Sequence, residues 1–427
     1  MEDRGYDTIP DRHPFATVAL LVVVVTVTAC FAEGFRRSAE WVIEWYSGTP
    51  SPTGAASALN PWIVGCLVTV IVLAAAAVER RAVRIRPGGS GLAAIAASAR
   101  GEGRRISSTA TTYRAGAIWG VASGLVSLGR ESAIVETGGA LGAVSGRLSR
   151  GKGDAMAVAG IAAGFAAAYH APLAAIVYLE EHLGIRRSQR AVRFVIAGGV
   201  GGHLVVLWLF GGHSVFPAIE GSRWELLIAG LIIVLPGVVA SRIFRSLRTG
   251  ASSDGWRARL PTSRRRFVYV VAAVVAGAAV AVVPHAAGNG MDALREVPEA
   301  ATYSLAGALL IGKIVGTTAT LAAGAPGGVI SPSMAVAGGA ALFVALAADE
   351  AGFRVDHHWD VVVAALVVGV VVGLRSPLMA PLLVAELLGD YTLVPALAVV
   401  AVAAYGGDRL IDVVRTGPSG KVRDEDA

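Results

Sequence analysis

The chain has 427 residues, of which 54% are apolar and only 16% are charged. Soluble proteins carry about 25% charged residues, so this chain cannot cover its apolar residues with a hydrated surface, and its hydrophobicity also excludes a disordered chain. The net charge of +6 comes from short basic runs between apolar segments, which are typical of the cytoplasmic loops of an all-α, polytopic membrane protein and not of a nucleic-acid-binding surface.

The first apolar segment covers residues 15–32, and the residues before it carry four acidic side chains and two arginines. A cleaved secretory signal begins with a positively charged segment. We therefore expect residues 15–32 to remain in the protein as its first membrane helix.

The later apolar segments differ in length. Residues 62–78 can span a bilayer core, whereas residues 155–168, 307–323 and 361–373 are short or broken by glycine, and each precedes a proline. Helices that end inside a membrane are tolerated only where they are buried in protein or face a water-filled cavity. Such interruptions in both halves of a chain indicate a transport site.

Polar segments divide the chain only weakly. The longest one, residues 245–266, is predicted to connect two halves on the cytoplasmic side. We expect a polar segment 1–14, a membrane domain 15–416 with halves of about 15–244 and 267–416, a polar tail 417–427, and no regulatory domain.

A weak internal repeat supports two halves of inverted topology. The pattern G-x-x-S-[A/P] occurs at residues 129–133 and 328–332, and a pair of glycines follows each copy. The copies lie about half the chain apart, as two inverted repeats would place them.

Three glycine-rich turns, at residues 87–92, 129–133 and 324–332, each precede an apolar helical segment. Helix N-termini present free N–H groups and a partial positive charge, and glycine lets the backbone approach a ligand. Three such ends that converge in the membrane would bind an anion and still release it. The alternative is close helix packing through small residues.

Two acidic positions in this chain are candidates for a functional role. Glu131 lies in the second glycine turn, where an ionisable group indicates function. Ionised, it would occupy the anion's place, and protonated, it would leave, so it would be both a gate and a proton carrier; the alternative is a salt bridge with Arg130. Glu180 and Glu181 end segment 162–181 and point about 100° apart on a helix. One could bond within the protein while the other relays protons, or both could simply form a charged helix end.

These residues together resemble the chloride channel and chloride/proton exchanger (CLC) family over residues 15–416. The similarity rests on five motifs in the family's order: Gly89-Ser90-Gly91, Gly129-Arg130-Glu131, residues 324–332, residues 162–181, and Asp390-Tyr391 followed by Pro395.

The resemblance implies a homodimer in the plasma (inner) membrane, with both termini cytoplasmic and one pathway per subunit. Each subunit would exchange chloride, as transported ligand, for protons, without a cofactor, a metal or enzymatic activity. Glu131 would be the external gate and Glu181 the internal proton residue. Ser90 and the N–H groups of Val329 and Ile330 would coordinate the anion. The full predicted filter is Gly89, Ser90, Gly91, Gly129, Arg130, Glu131, Gly328, Val329, Ile330 and Pro332.

Several positions depart from the family's motifs, which leaves alternatives open. The family's anion-coordinating tyrosine near the C-terminus has no counterpart, and His170 or Tyr405 are candidates to replace it. A passive chloride channel and a fluoride/proton antiporter are the main alternatives, although Ser90 and Glu181 favour chloride. A remote alternative is an intramembrane serine protease with Ser90 as nucleophile and His170 or His203 as base.

Overall fold

The structure is a computed structural model that describes residues 14–87, 91–99, 106–148, 153–184, 189–212, 214–251 and 261–416. The described residues form eighteen α-helices and one isolated β-bridge. In the first half the helices are α1 Pro14–Ser47, α2 Pro52–Ala58, α3 Pro61–Ile85, α4 Leu92–Ala99, α5 Ser108–Ser123, α6 Glu131–Leu148, α7 Gly153–Tyr169, α8 Pro172–Glu181 and α9 Gln189–Phe210.

The remaining helices are of equally varied length. They are α10 Arg223–Ala251, α11 Thr262–Val282, α12 Met291–Arg295, α13 Tyr303–Gly307, α14 Lys313–Ala322, α15 Ile330–Glu350, α16 His358–Leu374, α17 Met379–Leu388 and α18 Val394–Thr416. A π-helical turn joins α13 to α14, so the apolar segment 307–323 belongs to one continuous helical rod.

Within the part of the chain that the structure describes, seven helical segments are long and apolar enough to cross a membrane. They are Phe15–Ala58, Pro61–Ile85, Val192–Phe210, Arg223–Ala251, Ser263–Val282, Tyr303–Ala322 and Ile330–Glu350. The prediction of mixed long and short membrane helices is confirmed, because α7, α16 and α17 are apolar but shorter. Helix α16 is buried along nearly its whole length, which explains why it is apolar on every side.

Two helices extend further than the sequence predicted. Helix α1 continues past residue 32 to Ser47, because Glu33 and Glu40 pair with Arg36 and Arg37 one turn away and neutralise its polar part. Helix α10 continues to Ala251, so the connection between the halves is shorter than residues 245–266.

Small residues bring neighbouring helices into backbone contact. A Cβ on Gly138 of α6 would overlap the carbonyl of Gly160 on α7, and a Cβ on Gly369 of α16 would overlap the carbonyl of Ser333 on α15. Close packing through glycine therefore operates in this protein together with the glycine turns.

Candidate anion and proton site

The second and third glycine turns meet each other directly. The N–H of Gly129 donates to the carbonyl of Gly328 at 2.9 Å, and the N–H of Gly328 donates back at 2.7 Å, which forms the isolated antiparallel bridge. A Cβ on Gly129 would lie 2.8 Å from the carbonyl oxygen of Gly328, so glycine is required at this crossing. Equivalent positions of the two repeats thus contact each other reciprocally, as a two-fold relation between the halves produces.

Glu131 begins α6 directly after this bridge, and only 5% of it is exposed. Its Oε1 accepts hydrogen bonds from the Ser331 hydroxyl at 2.7 Å and from the Asn289 amide at 3.0 Å. Its Oε2 lies beside Gly129 and Gly328 and accepts no hydrogen bond from the described residues. The carboxylate therefore fills the space between the two turns at the N-terminal end of α15, where negative charge is favourable.

Arg130 does not pair with Glu131 but with Glu40 on α1, at 3.4 Å. The alternative of a salt bridge between the two neighbours is therefore wrong for this conformation. Glu131 is held by neutral donors, which bind a carboxylate less strongly than a guanidinium does.

The predicted anion-coordinating residues of the third turn lie at the start of α15. Val329 is the N-cap residue, with no side-chain cap on the first turn, and Ile330 and Pro332 are buried. Of the first turn, Gly91 has a positive φ of 87° and directly precedes α4, whereas Gly89 and Ser90 lie outside the described residues. The structure thus brings the second and third turns together and places Gly91 at a helix start.

Two residues that the sequence analysis did not select, the buried Tyr169 and the half-buried Asn289, support Glu131 together with Ser331 of the third turn. The Tyr169 hydroxyl lies 3.3 Å from that of Ser331. Because Ser331 gives its only proton to Glu131, Tyr169 must be the donor in this pair. Asn289 completes the set through its amide. Tyr169 and Asn289 were missed because they lie far from Glu131 in the sequence and form no motif with it.

Lys313 fixes the loop that carries Asn289. Its ammonium group is fully buried and donates to the carbonyls of Ala286, Ala287 and Gly288 at 2.8, 3.1 and 2.7 Å. A lysine inside an apolar segment was the available sequence signal, because a buried cation requires partners.

A cavity of about 330 Å³, named the outer cavity after the predicted external gate, gives access to Glu131. His170 also lines it, with a positive φ of 56°. Charged side chains surround the cavity: Glu33, Arg36, Arg37, Glu40, Arg130, Asp292 and Arg295. Glu131 is therefore reachable from a polar compartment.

At the C-terminal end of α8, Glu181 is hydrogen-bonded to another helix. Its two carboxylate oxygens accept the N–H groups of Leu378 and Met379, at 2.8 and 2.7 Å, where α17 begins. This contact gives the Glu181 carboxylate a structural role. The sequence analysis allowed for such a role, since one member of the pair Glu180 and Glu181 could bond within the protein.

The contact has a reciprocal counterpart that the sequence analysis missed. Glu386 of α17 accepts the N–H groups of Leu173 and Ala174, at 2.8 and 2.9 Å, where α8 begins, and also the Tyr391 hydroxyl. The two short helices are thus joined at both ends, each by a carboxylate on the other.

A cavity of about 220 Å³, named the inner cavity after the predicted internal proton residue, lies beside Glu181. Tyr405 lines it, and its hydroxyl accepts a hydrogen bond from Arg409 at 3.1 Å. The two candidates for the missing tyrosine are therefore separated: His170 lines the outer cavity and Tyr405 the inner one. The rings of His170 and His203 lie 6.2 Å apart, while Ser90 lies outside the described residues.

These observations define an all-helical integral membrane protein, with a buried carboxylate where two glycine turns meet and with polar cavities on either side. Residues 72–409 match the family model described as voltage gated chloride channel. The chain belongs to this family, and the predicted family and fold class are confirmed.

Curated relatives include proteins named H(+)/Cl(-) exchange transporter ClcA. The one from Vibrio parahaemolyticus is 28% identical over 73% of this chain and 70% of its own length. The one from Citrobacter koseri is 26% identical over 92% and 85%.

Two solved structures share the fold. A slow cyanobacterial Cl⁻/H⁺ antiporter superposes with a TM-score of 0.74 at 18% identity, covering 93% of this chain and 95% of its own. A CLC-type fluoride/proton antiporter superposes with a TM-score of 0.71 at 16% identity, covering 92% and 95%.

Proposed function

We propose that this protein exchanges chloride for protons across a membrane. One observation carries the proposal: the Glu131 carboxylate fills the space between two glycine turns and also faces a polar cavity. The relatives named as H(+)/Cl(-) exchange transporters support the same chemistry.

The geometry suggests how one carboxylate would couple the two ions. Ionised Glu131 occupies the N-terminal end of α15, and a chloride ion cannot occupy it at the same time. When a proton forms an O–H bond on the carboxylate, the negative charge is lost and the bonds from Ser331 and Asn289 weaken. The neutral side chain then moves out, and chloride binds against the first turn of α15.

The anion ligands in this proposal come from the predicted filter. The N–H groups of Val329 and Ile330 and the hydroxyl of Ser90 would coordinate chloride, while Gly129 and Gly328 keep the turns close enough to share it. Without a side chain on these glycines, a desolvated ion can approach the backbone. Helix N-termini bind anions without a full positive charge, which permits release.

We also propose a homodimer with one pathway per subunit, in the plasma (inner) membrane and with cytoplasmic termini. Ser331 and Asn289 of the same chain bond to Glu131, which supports a complete pathway in each subunit. The basic runs beside the apolar segments support the orientation. Subunit counting of labelled protein in lipid bilayers tests the dimer, and monomers alone would contradict it.

A proteoliposome experiment tests the proposed exchange. An imposed chloride gradient should drive protons uphill in the wild-type protein. Glu131→Ala and the nearly isosteric Glu131→Gln should both keep chloride flux and lose proton movement, because neither side chain can carry the proton. Unchanged proton pumping in these variants would remove Glu131 from the mechanism, and passive chloride flux in the wild type would indicate a channel.

The transported anion needs a separate test, because the fluoride/proton antiporter shares the fold. Competition among chloride, nitrate and fluoride in the same vesicles measures the preference directly. We expect chloride to compete best; strong preference for fluoride would contradict the proposed substrate.

A further inference from the structure

A buried arginine lies against the first glycine turn. A Cβ added to Gly91 would lie 3.6 Å from the guanidinium carbon of Arg114, which is ordinary van der Waals contact. Gly91 is itself buried, directly precedes α4 and belongs to the predicted filter. Because a guanidinium is not deprotonated in proteins, a full positive charge lies beside the turn that is expected to bind the anion.

Anion transport at this turn does not need a full charge. Helix N-termini attract an anion with a partial positive charge and still permit release, whereas a unit charge in a low-dielectric interior acts strongly on a nearby ion. An unbalanced guanidinium at this place would hold chloride and slow its release. A counter-charge for Arg114 is therefore needed if the anion is to exchange rapidly.

Two carboxylates supply that counter-charge. The Glu136 carboxylate accepts hydrogen bonds from Nε of Arg114 at 2.8 Å and from Nη2 at 3.0 Å, and the Glu79 carboxylate accepts from Nη1. Every nitrogen of the guanidinium therefore donates to a carboxylate. Pairing with arginine favours the ionised form of both carboxyl groups, so the three side chains together carry one negative charge.

Glu136 is the more deeply buried of the two carboxylates. Its side chain is 2% exposed, compared with 18% for Glu79. It lies on α6 five residues after Glu131, which places the two side chains about 140° apart around the helix. Glu136 thus faces Arg114 of α5 and not the place where the second and third glycine turns meet.

We propose that Glu136 determines how tightly this protein binds its anion, because it offsets the charge of Arg114 beside the first glycine turn. Glu79 acts in the same direction but less strongly, since its charge is nearer to water and more screened. The inference rests on the proposed chloride exchange and names a residue that sets the affinity of the anion site.

Isothermal titration with potassium chloride tests this role in a Glu131→Ala parent, in which no gate carboxylate competes with the anion. Adding Glu136→Gln, which has nearly the same shape but no charge, should tighten chloride binding about tenfold, and adding Glu79→Gln should tighten it about threefold. Asp360→Asn is the matched control. It removes an equally buried carboxylate that accepts main-chain N–H groups at residues 220 and 221, and it should leave the affinity within about twofold.

A charge-restoring double substitution separates an electrostatic role from a structural one. Arg114→Gln combined with Glu136→Gln removes one charge of each sign and returns the cluster to one negative charge. Chloride affinity should therefore return to within about threefold of the Glu131→Ala parent, whereas a merely structural role would make the double substitution worse than Glu136→Gln alone. The Glu79→Gln arm serves if the Glu136→Gln protein does not fold.

Proteoliposomes with Glu131 intact distinguish this role from proton transfer. Glu136→Gln should slow chloride turnover and keep the ratio of protons to chloride ions. Unchanged or weaker chloride binding in both Glu136→Gln and Glu79→Gln would overturn the inference, as would a selective loss of proton movement in Glu136→Gln. Absence of chloride binding in the Glu131→Ala parent would instead contradict the proposed exchange.

Discussion

At the residue scale, the release of the Glu131 carboxylate depends on its being held by neutral and not by charged hydrogen-bond donors. Glu131 accepts bonds from a hydroxyl and an amide, whereas the guanidinium of Arg130 is engaged by Glu40. A buried carboxylate bound by arginine would be held too firmly to leave on each cycle. Neutral donors stabilise the ionised form and release it once a proton is bound.

Asn289→Ala should therefore raise the chloride turnover rate about tenfold. The substitution removes one bond to a charged acceptor, worth roughly 1.5–3 kcal/mol, and tenfold corresponds to about 1.4 kcal/mol. Stopped-flow chloride efflux from proteoliposomes measures the rate.

Asn289→Asp is the informative partner of this variant. It retains the oxygen that accepts the N–H of Met291 and places a second carboxylate beside Glu131. Like charges repel, so its turnover should rise at least as much. Unchanged turnover in both variants would show that Ser331 alone holds the gate.

At the element scale, α8 and α17 form a reciprocally clamped pair. Each has ten residues, and a carboxylate of the other helix accepts the N–H groups at its start. Neither helix has a side-chain cap of its own at its N-cap residue, so these carboxylates replace the missing caps.

Amide hydrogen exchange tests each of the two carboxylate contacts separately. In Glu386→Ala the amides of Leu173 and Ala174 should exchange at least tenfold faster, because a lost bond to a charged acceptor is worth roughly 1.5–3 kcal/mol. In Glu181→Ala the faster exchange should occur at Leu378 and Met379. Equal exchange at both helix starts in both variants would indicate general unfolding and contradict separate clamps.

Local patterns predicted the elements better than the contacts between them. The glycine turns mark the starts of α4, α6 and α15, because backbone requirements are local. The sequence does not show that Glu386 reaches α8, or that Lys313 fixes the loop beside Asn289, since such pairs form only when distant segments pack. The polar second half of α1 was missed for a related reason, as its charges neutralise one another on the helix.

At the scale of the whole molecule, the two halves contact each other at the two glycine turns that the repeated pattern makes equivalent. Gly129 and Gly328, equivalent in the repeated pattern, exchange two main-chain hydrogen bonds. The repeat is visible in the sequence, but the bridge is not, because a repeat shows which positions are equivalent and does not show how far apart they lie. Near the chain end, ion pairs join α18 to α10, where Asp408 binds Arg242 and Arg245.

Gly129→Ala should break the contact between the halves and also displace the Glu131 carboxylate. Its Cβ would overlap the Glu131 carboxylate and press on the carbonyl of Gly328. We expect a lower unfolding temperature in detergent and a loss of proton coupling in proteoliposomes, since overpacking typically costs about 1–3 kcal/mol and Glu131 could no longer return to its place. Gly116→Ala, in α5 with nothing within 4 Å of the added methyl group, should instead stabilise the protein by roughly 0.5–1 kcal/mol. Equal effects of the two substitutions would show that the bridge between Gly129 and Gly328 does not hold the halves in register.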